Sequence, residues 1–338
     1  MPMLDGFRAL RSTVAALLGA TLLSACATTA PLPGAKRPID DQGRLPAPNV
    51  ELDIPQLGPC YDSEDTTLAL DADEPVTVLV HGCYASAGRF RALAQVYALH
   101  GQQTACFTYN DRDSLTASAD QLATALDRLQ DAMRNDRVDI LAHSQGGLIA
   151  RRTLSEEHNE LWRDTPLRLR LMTVSAPFAG IEAASHCGSR TARYLSLGIT
   201  ALICQIVTGD KWPEIPGGSD FIETPGTLKH QVREHIKVVT DERNTCRRRD
   251  DSGQCLEGDY VFSLREQYHR PVDDAPRVEN VRVEAGHVEI VGDAQQPPVK
   301  LIRILQRRGL LTETRPGMRA ELRRLFATLY GSAYGGKP

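Results

Sequence analysis

The chain has 338 residues, 41% of them hydrophobic and 24% charged, with a formal net charge of −4. That is enough apolar material for one large α/β core or two modest ones, and it excludes a low-complexity or purely polar chain. The charge is unevenly spread: residues 298–338 carry nine Lys or Arg against two Glu, which points to a surface contact made by this tail, with anionic lipid as a candidate partner and nothing that suggests nucleic acid.

At the N-terminus, Arg8 and Arg11 precede "STVAALLGATLLSAC". This apolar stretch is too short to span a bilayer comfortably and ends in small residues, the form of a signal peptide over residues 1–25. Its end, "LSAC" at residues 23–26, resembles the lipobox of bacterial lipoproteins, which implies cleavage before Cys26 and acylation of its thiol and new amine. Ala27, rather than Asp, follows, which in Gram-negative lipoproteins implies the outer membrane. The expectation is therefore a lipid-anchored chain of the cell envelope, facing the periplasm and attached to the bilayer rather than spanning it. Residues 26–56, with "ATTAPLPGAKRPIDDQGRLPAPNV", show neither helical nor strand period and read as a Pro-rich tether.

The folded part begins near residue 57. "PVTVLVHG" is a β-branched apolar run closed by Gly82, the pattern of a buried parallel strand. "RFRALAQVYALHG" reads as a helix ending at Gly101 and "QTACFTYN" as a second strand. "SLTASADQLATALDRLQDAMRN" is a helix, with Leu115, Leu122, Leu126, Leu129 and Met133 near one face. "VDILAHS" is a third strand, "GGLIARRTLSEE" its helix, and "LRLRLMTVSAP" a fourth strand. Strands alternating with helices of this length indicate right-handed βαβ units on a mostly parallel, doubly wound sheet with helices on both faces.

Seven cysteines follow Cys26: Cys60, Cys83, Cys106, Cys187, Cys204, Cys246 and Cys255. An oxidising compartment permits disulfides, although an odd number cannot all be joined within one chain. Cys246 and Cys255 bracket the polar "RRRDDSGQ" and are the first expected pair; Cys187 and Cys204 flank a helical pattern and are the second. No Cys-x-x-Cys or His-Glu-x-x-His spacing occurs, so no metal is expected, and no P-loop or dinucleotide glycine fingerprint suggests a cofactor.

In "DILAHSQGGLIARR" a strand stops at Ala142, Ser144 stands at the turn, and a helix begins beyond it. This is the strand-turn-helix setting of a nucleophile elbow, in which the residues two before and two after the serine must be small; Ala142 and Gly146 meet that demand. The helix would aim amide donors at an oxyanion beside the serine. The alternative is a helix N-cap serine with no chemistry.

"VLVHG", "AHSQGG", "SAPFAG" and a late "GHVEI", in that order, resemble the α/β-hydrolase fold, and the Ala-His-Ser-x-Gly-Gly elbow is similar to that of bacterial lipases and esterases. The resemblance covers residues 75–292. It implies a nucleophile, then Asp or Glu, then His along the chain. His287, after the alternating "ENVRVEAG", holds the place of the base, while His143 and His81 are expected to pack structurally. For the acid, Asp259 in "EGDYVFSL" matches the family segment if the Cys246 to Cys255 loop is an insertion; Asp241 in "VVTDERN" is the alternative and Asp220 a weaker third. The family rule gives the oxyanion donors as the amides of Gln145 and Cys83. Cys83 would then keep its thiol, with pairing to Cys60 or Cys106 as the alternative.

Residues 181–232 fall where this fold inserts its cap. Their apolar positions, among them Leu195, Ile199, Leu202 and Ile206, suit acyl chains or serve as a core helix. The hydrolase domain is thus expected over 57–297, followed by a basic helical tail over 298–338 that packs on the core or touches lipid. The reading is a serine hydrolase of carboxylic esters, lipase- or esterase-like. An acyltransferase or amidase with the same triad, or a non-catalytic envelope lipoprotein using the fold for binding, are the alternatives.

Overall fold

The computed structural model describes residues 34–184, 209–293 and 295–331. Its strands are β1 (Val50–Leu52), β2 (Leu57–Gly58), β3 (Leu68–Leu70), β4 (Val76–Val80), β5 (Gln103–Phe107), β6 (Arg137–His143), β7 (Arg168–Val174), β8 (Val232–Asp241), β9 (Cys246–Arg249), β10 (Cys255–Gly258) and β11 (Val278–Glu284). The described helices of nine residues or more are α1 (Arg91–Leu99), α2 (Leu115–Ala132), α3 (Gln145–Thr153), α4 (Val299–Arg307) and α5 (Arg319–Tyr330).

Seven strands form the central sheet in the order β11-β8-β7-β6-β4-β5-β2. Only β2 runs antiparallel to its neighbour; the other pairings are parallel. Because side chains alternate across a strand, each central strand feeds two cores. Val78 and Val80 of β4 join Leu122, Leu126 and Ile149 under one face. Leu79 joins Leu93, Tyr97 and Leu301 under the other. At the sheet edge β11 is half-exposed and carries Glu279, Arg282 and Glu284, charges that discourage further strand pairing. This doubly wound layout, with a serine at the turn after β6, is the α/β-hydrolase fold implied by the sequence resemblance.

Helix α2 shows how the sequence fixes a boundary. Ser114 caps it by accepting from Ala117 N (3.2 Å). The carboxylate of Glu214 accepts from the amides of Leu115 and Thr116 and from the Thr116 hydroxyl (2.6 Å), placing negative charge at the positive end of the helix. Glu214 belongs to the region expected as a cap. Residues 185–208 of that region, with both Cys187 and Cys204, lie outside the described residues, as do Cys26 and the expected signal peptide.

Both flanking segments pack against the domain. The stretch expected as a free tether up to residue 56 is partly packed: β1 pairs with β3, and the buried Arg91 donates to the carbonyls of Arg37 (2.8 Å) and Pro38 (2.6 Å). Proline removes a backbone donor but leaves its carbonyl, so a Pro-rich segment still offers acceptors to a buried guanidinium. The basic tail, for its part, completes the second core. Leu301, Ile304 and Leu305 of α4 and Phe326 and Leu329 of α5 are buried, while Arg303, Arg307, Arg319, Arg323 and Arg324 face solvent.

Cys246 and Cys255 are joined, closing the β9–β10 hairpin, and Cys60 is joined to Cys106 across β5. Cys83 is left out of that second bond. Among the described residues, no helix is long and apolar enough to cross a membrane.

Candidate active site

β6 delivers its last residue, His143, to the edge of the sheet, and the chain turns at Ser144 with φ 57° and ψ −127° before α3 begins at Gln145. That left-handed backbone is unfavourable for a residue with a Cβ and is held by neighbours on both sides. Ser144 N donates to Val174 O (2.8 Å), and Ser144 O accepts from Gly147 N (2.9 Å). Although Ser144 occupies the N-cap position of α3, its side chain makes no capping hydrogen bond. The hydroxyl is directed elsewhere.

The small residues around the turn are required by space. A Cβ at Gly146 would press on the backbone carbonyls of His81 and Val80, the latter at 2.8 Å, and one at Gly82 would lie 2.7 Å from Ser144 Cβ. In an ordinary helix Gly→Ala stabilises. Here the sign reverses, and Gly146→Ala is expected to cost about 1–3 kcal/mol, read as a lower urea midpoint at unchanged slope.

Ser144 is 4% exposed, and its Oγ lies 3.1 Å from His287 Nε2. His287 Nδ1 lies 3.0 Å from Glu242 Oε1. Because a carboxylate can only accept, the proton on His287 sits at Nδ1 and the lone pair of Nε2 faces the serine hydroxyl. Glu242 is fully buried yet saturated. Its Oε1 also accepts from the Thr240 hydroxyl (2.9 Å), and its Oε2 from the amides of Val261 (2.6 Å) and Phe262 (2.8 Å). The Phe262 ring stands edge-on to His287 at 4.9 Å between centroids, and His143 Nε2 bonds the His287 carbonyl (2.9 Å). Burial, followed by the neighbouring His287, pushes His143 well below the usual imidazole range, so it is a neutral donor there.

The acid beside His287 is therefore Glu242, and the expected Asp259 and Asp241 are not. Asp241 ends β8 with its buried side chain paired to Arg243 (2.6 Å) and Arg282 (2.5 Å) instead of His287. Those guanidiniums hold its carboxyl far below the ordinary range, the Arg243 contact most strongly. Asp259 is buried, but its carboxylate accepts from the backbone amides of Val288 (3.1 Å) and Glu289 (2.8 Å) instead of the imidazole. Asp220 opens a short helix, Asp220–Glu223, and is exposed.

The two residues expected to supply oxyanion donors lie side by side: Cys83 Sγ donates to Gln145 Oε1 (2.7 Å). Lys211, a residue the sequence reading passed over, is buried against them. Its Nζ donates to Gln145 Oε1 (2.7 Å) and to the carbonyl of Asp111, and lies 3.2 Å from Cys83 Sγ. Gln145 Nε2 donates to the same Asp111 carbonyl (3.2 Å), so its side chain is fixed at both ends. Among the described residues, no group of three or more His, Cys, Asp or Glu is arranged to hold a metal ion. The arrangement offers a hydroxyl, an imidazole in line to take its proton, and a buried carboxylate to hold the imidazolium.

A family profile described as "Domain of unknown function (DUF7379)" matches residues 58–240. The matched span contains Ser144 and stops two residues short of Glu242. No curated protein matches the chain in sequence. Among solved structures it is similar to the mature lipase BlEst2 of Bacillus licheniformis, at 15% identity and TM-score 0.45 over 78% of this chain and 99% of that one. It is also similar to an esterase of Pyrococcus furiosus, at 14% and 0.40 over 83% and 91%. A putative cell surface hydrolase of Lactobacillus plantarum shows 17% and 0.43 over 77% and 98%.

Proposed function

The chain belongs to the DUF7379 family, a domain of unknown function, and we propose that this member is a serine hydrolase of carboxylic esters. The observation that carries the proposal is the continuous hydrogen-bonded line from Ser144 through His287 to Glu242 at a strained strand-helix turn. Such a turn persists only when the surrounding structure enforces it, and strain of this kind concentrates at reactive residues.

On this reading Ser144 Oγ attacks the acyl carbonyl as its proton passes to His287 Nε2. The imidazolium keeps its Nδ1–H on Glu242. The negative oxygen of the tetrahedral intermediate is met by the amides of Gln145 and Cys83. Collapse expels the alcohol, which takes the proton from His287 and leaves an ester on Ser144. Water, deprotonated by His287, then attacks that ester and restores the serine.

The apolar run near residues 195–207 supports acyl chains as the substrate's bulk. The lipobox-like "LSAC" supports attachment through Cys26 to the envelope, at the outer membrane and facing the periplasm. A fluorophosphonate probe is expected to label the full chain and not Ser144→Ala. Equal labelling of the two would overturn the reading.

A further inference from the structure

We infer that the disulfide-stapled hairpin formed by β9 and β10, acting through Arg247 and Asp259, is a positioning device for His287. The inference rests on the serine-hydrolase reading and concerns residues that touch no reacting atom.

His287 sits at a turn just beyond the edge strand β11, where the backbone has no ladder to hold it. Three successive amides of that turn go to one residue. His287 N donates to Asp259 O (3.0 Å), and the amides of Val288 and Glu289 donate to the Asp259 carboxylate. Successive amides converging on a carboxylate make an anion-binding nest, and the charge makes each bond stronger than a neutral one. The fit is close enough to exclude a side chain at Gly286, whose Cβ would run into the Asp259 carboxylate. Asp259 is 2% exposed, and an isolated carboxylate at that depth is costly. Its cationic partner is Arg247 of β9, which donates to Asp259 Oδ1 (3.3 Å) and to Glu257 of β10 (2.8 Å). The Cys246–Cys255 bond links the first residue of β9 to the first residue of β10, one residue from Arg247.

The same segment reaches the acid. Two and three residues beyond Asp259, the amides of Val261 and Phe262 bind Glu242 Oε2, and the Phe262 ring packs on the imidazole. Residues 259–262 thus grip the backbone around the base with a side chain and grip the acid with amides. Arg247 holds the first of them through its carboxylate. A hairpin whose only role was to add stability would have no need to send a buried guanidinium to the carboxylate under the His287 turn.

The test is the second-order rate of fluorophosphonate labelling of the full chain across pH 6–9, with thermal unfolding recorded for every variant. Asp259→Ala is expected to lower the plateau rate roughly 10- to 100-fold, since a displacement near 1 Å at a reacting group has that scale of effect. Asp259→Asn, which retains one acceptor oxygen, should recover part of the loss. Arg247→Met, at the periphery, should lower the plateau by about 10-fold, the low end for a residue that orients a reacting group. It should fold whether or not the Asp259 variants do. The pair Cys246→Ser with Cys255→Ser should act in the same direction, and adding it to Arg247→Met should slow labelling no further, because both act through Asp259. A folded Arg247→Met that labels at the wild-type rate, or hairpin variants that shift only the unfolding temperature, would overturn the inference. Failure of the wild type to label at all would overturn the hydrolase reading beneath it.

Discussion

Glu242→Gln is expected to slow ester hydrolysis by about 10³- to 10⁴-fold, the scale seen when a triad carboxylate becomes an amide of the same shape. The size follows from saturation of the site. Glu242 Oε2 already serves the amides of Val261 and Phe262, and Oε1 serves Thr240 and His287. In glutamine the oxygen must stay with the two amides, which have no other acceptor among the described residues, so the NH₂ faces His287 Nδ1. Two donors cannot share that contact. The imidazole responds by moving its proton to Nε2, where it points at Ser144 and removes the base. Asp241→Asn, one residue earlier, should leave the rate near wild type, because its carboxylate engages Arg243 and Arg282 on the outer side of the sheet. Steady-state hydrolysis of a short-chain ester at pH 8 checks both. A Glu242→Gln rate within tenfold of wild type would remove Glu242 from the mechanism.

The contrast between these neighbours marks where the sequence stopped being legible. The elbow could be read because its demands are local: a strand, a serine, small flanking residues and a helix all lie within fourteen positions. His287 could be placed because an alternating strand leads directly to it. The acid depends on parity. In "VVTDERN" two consecutive residues carry carboxylates, and consecutive residues at a strand end face opposite ways, so moving one position carries a side chain from the Arg243 and Arg282 guanidiniums to the site. The register that makes Asp241 the last paired residue of β8, opposite Glu284, belongs to β11 forty residues on. Asp259 misled for a related reason. Its segment looks like the family's acid segment, and it does lie beneath His287, but it binds the backbone of the turn and not the ring. Lys211 was invisible for want of any local pattern: a lysine after an aspartate in a loop says nothing of the Gln145 and Cys83 side chains more than sixty residues upstream. The packed part of the supposed tether was hidden likewise, since Arg91, the donor that fixes it, looks in sequence like an ordinary helix-surface arginine.

Lowering the pH from 7.5 to 5.5 is expected to cost the fold about 3 kcal/mol from His143 and His235 alone, well before carboxylates titrate, at about 1.4 kcal/mol for each group per unit below pH 6.5. Both are buried, and burial is the leading cause that pushes each far below the usual imidazole range, His287 adding to it for His143 and Arg151 for His235. His81 is pushed the same way by burial and adds to the loss. The geometry agrees. His235 Nε2 meets the Thr173 hydroxyl (2.9 Å), but its Nδ1 is buried with no hydrogen-bond partner among the described residues, so a second proton there would find no acceptor. In the unfolded chain the same imidazoles protonate near pH 6.5. Below that value the unfolded state binds more protons than the folded one, so stability is whole above it and falls as pH drops toward the depressed folded values. The depressed carboxyl of Asp241 loses its contribution only below the ordinary carboxylate range, whereas Asp259, whose carboxyl is pushed up by burial, titrates above that range and returns some stability as pH falls. Urea midpoints at pH 7.5, 6.5 and 5.5 check the prediction. A loss of this size is a large share of a typical domain's 5–15 kcal/mol, and midpoints that stay level across the window would mean that these imidazoles find a proton acceptor in the fold after all.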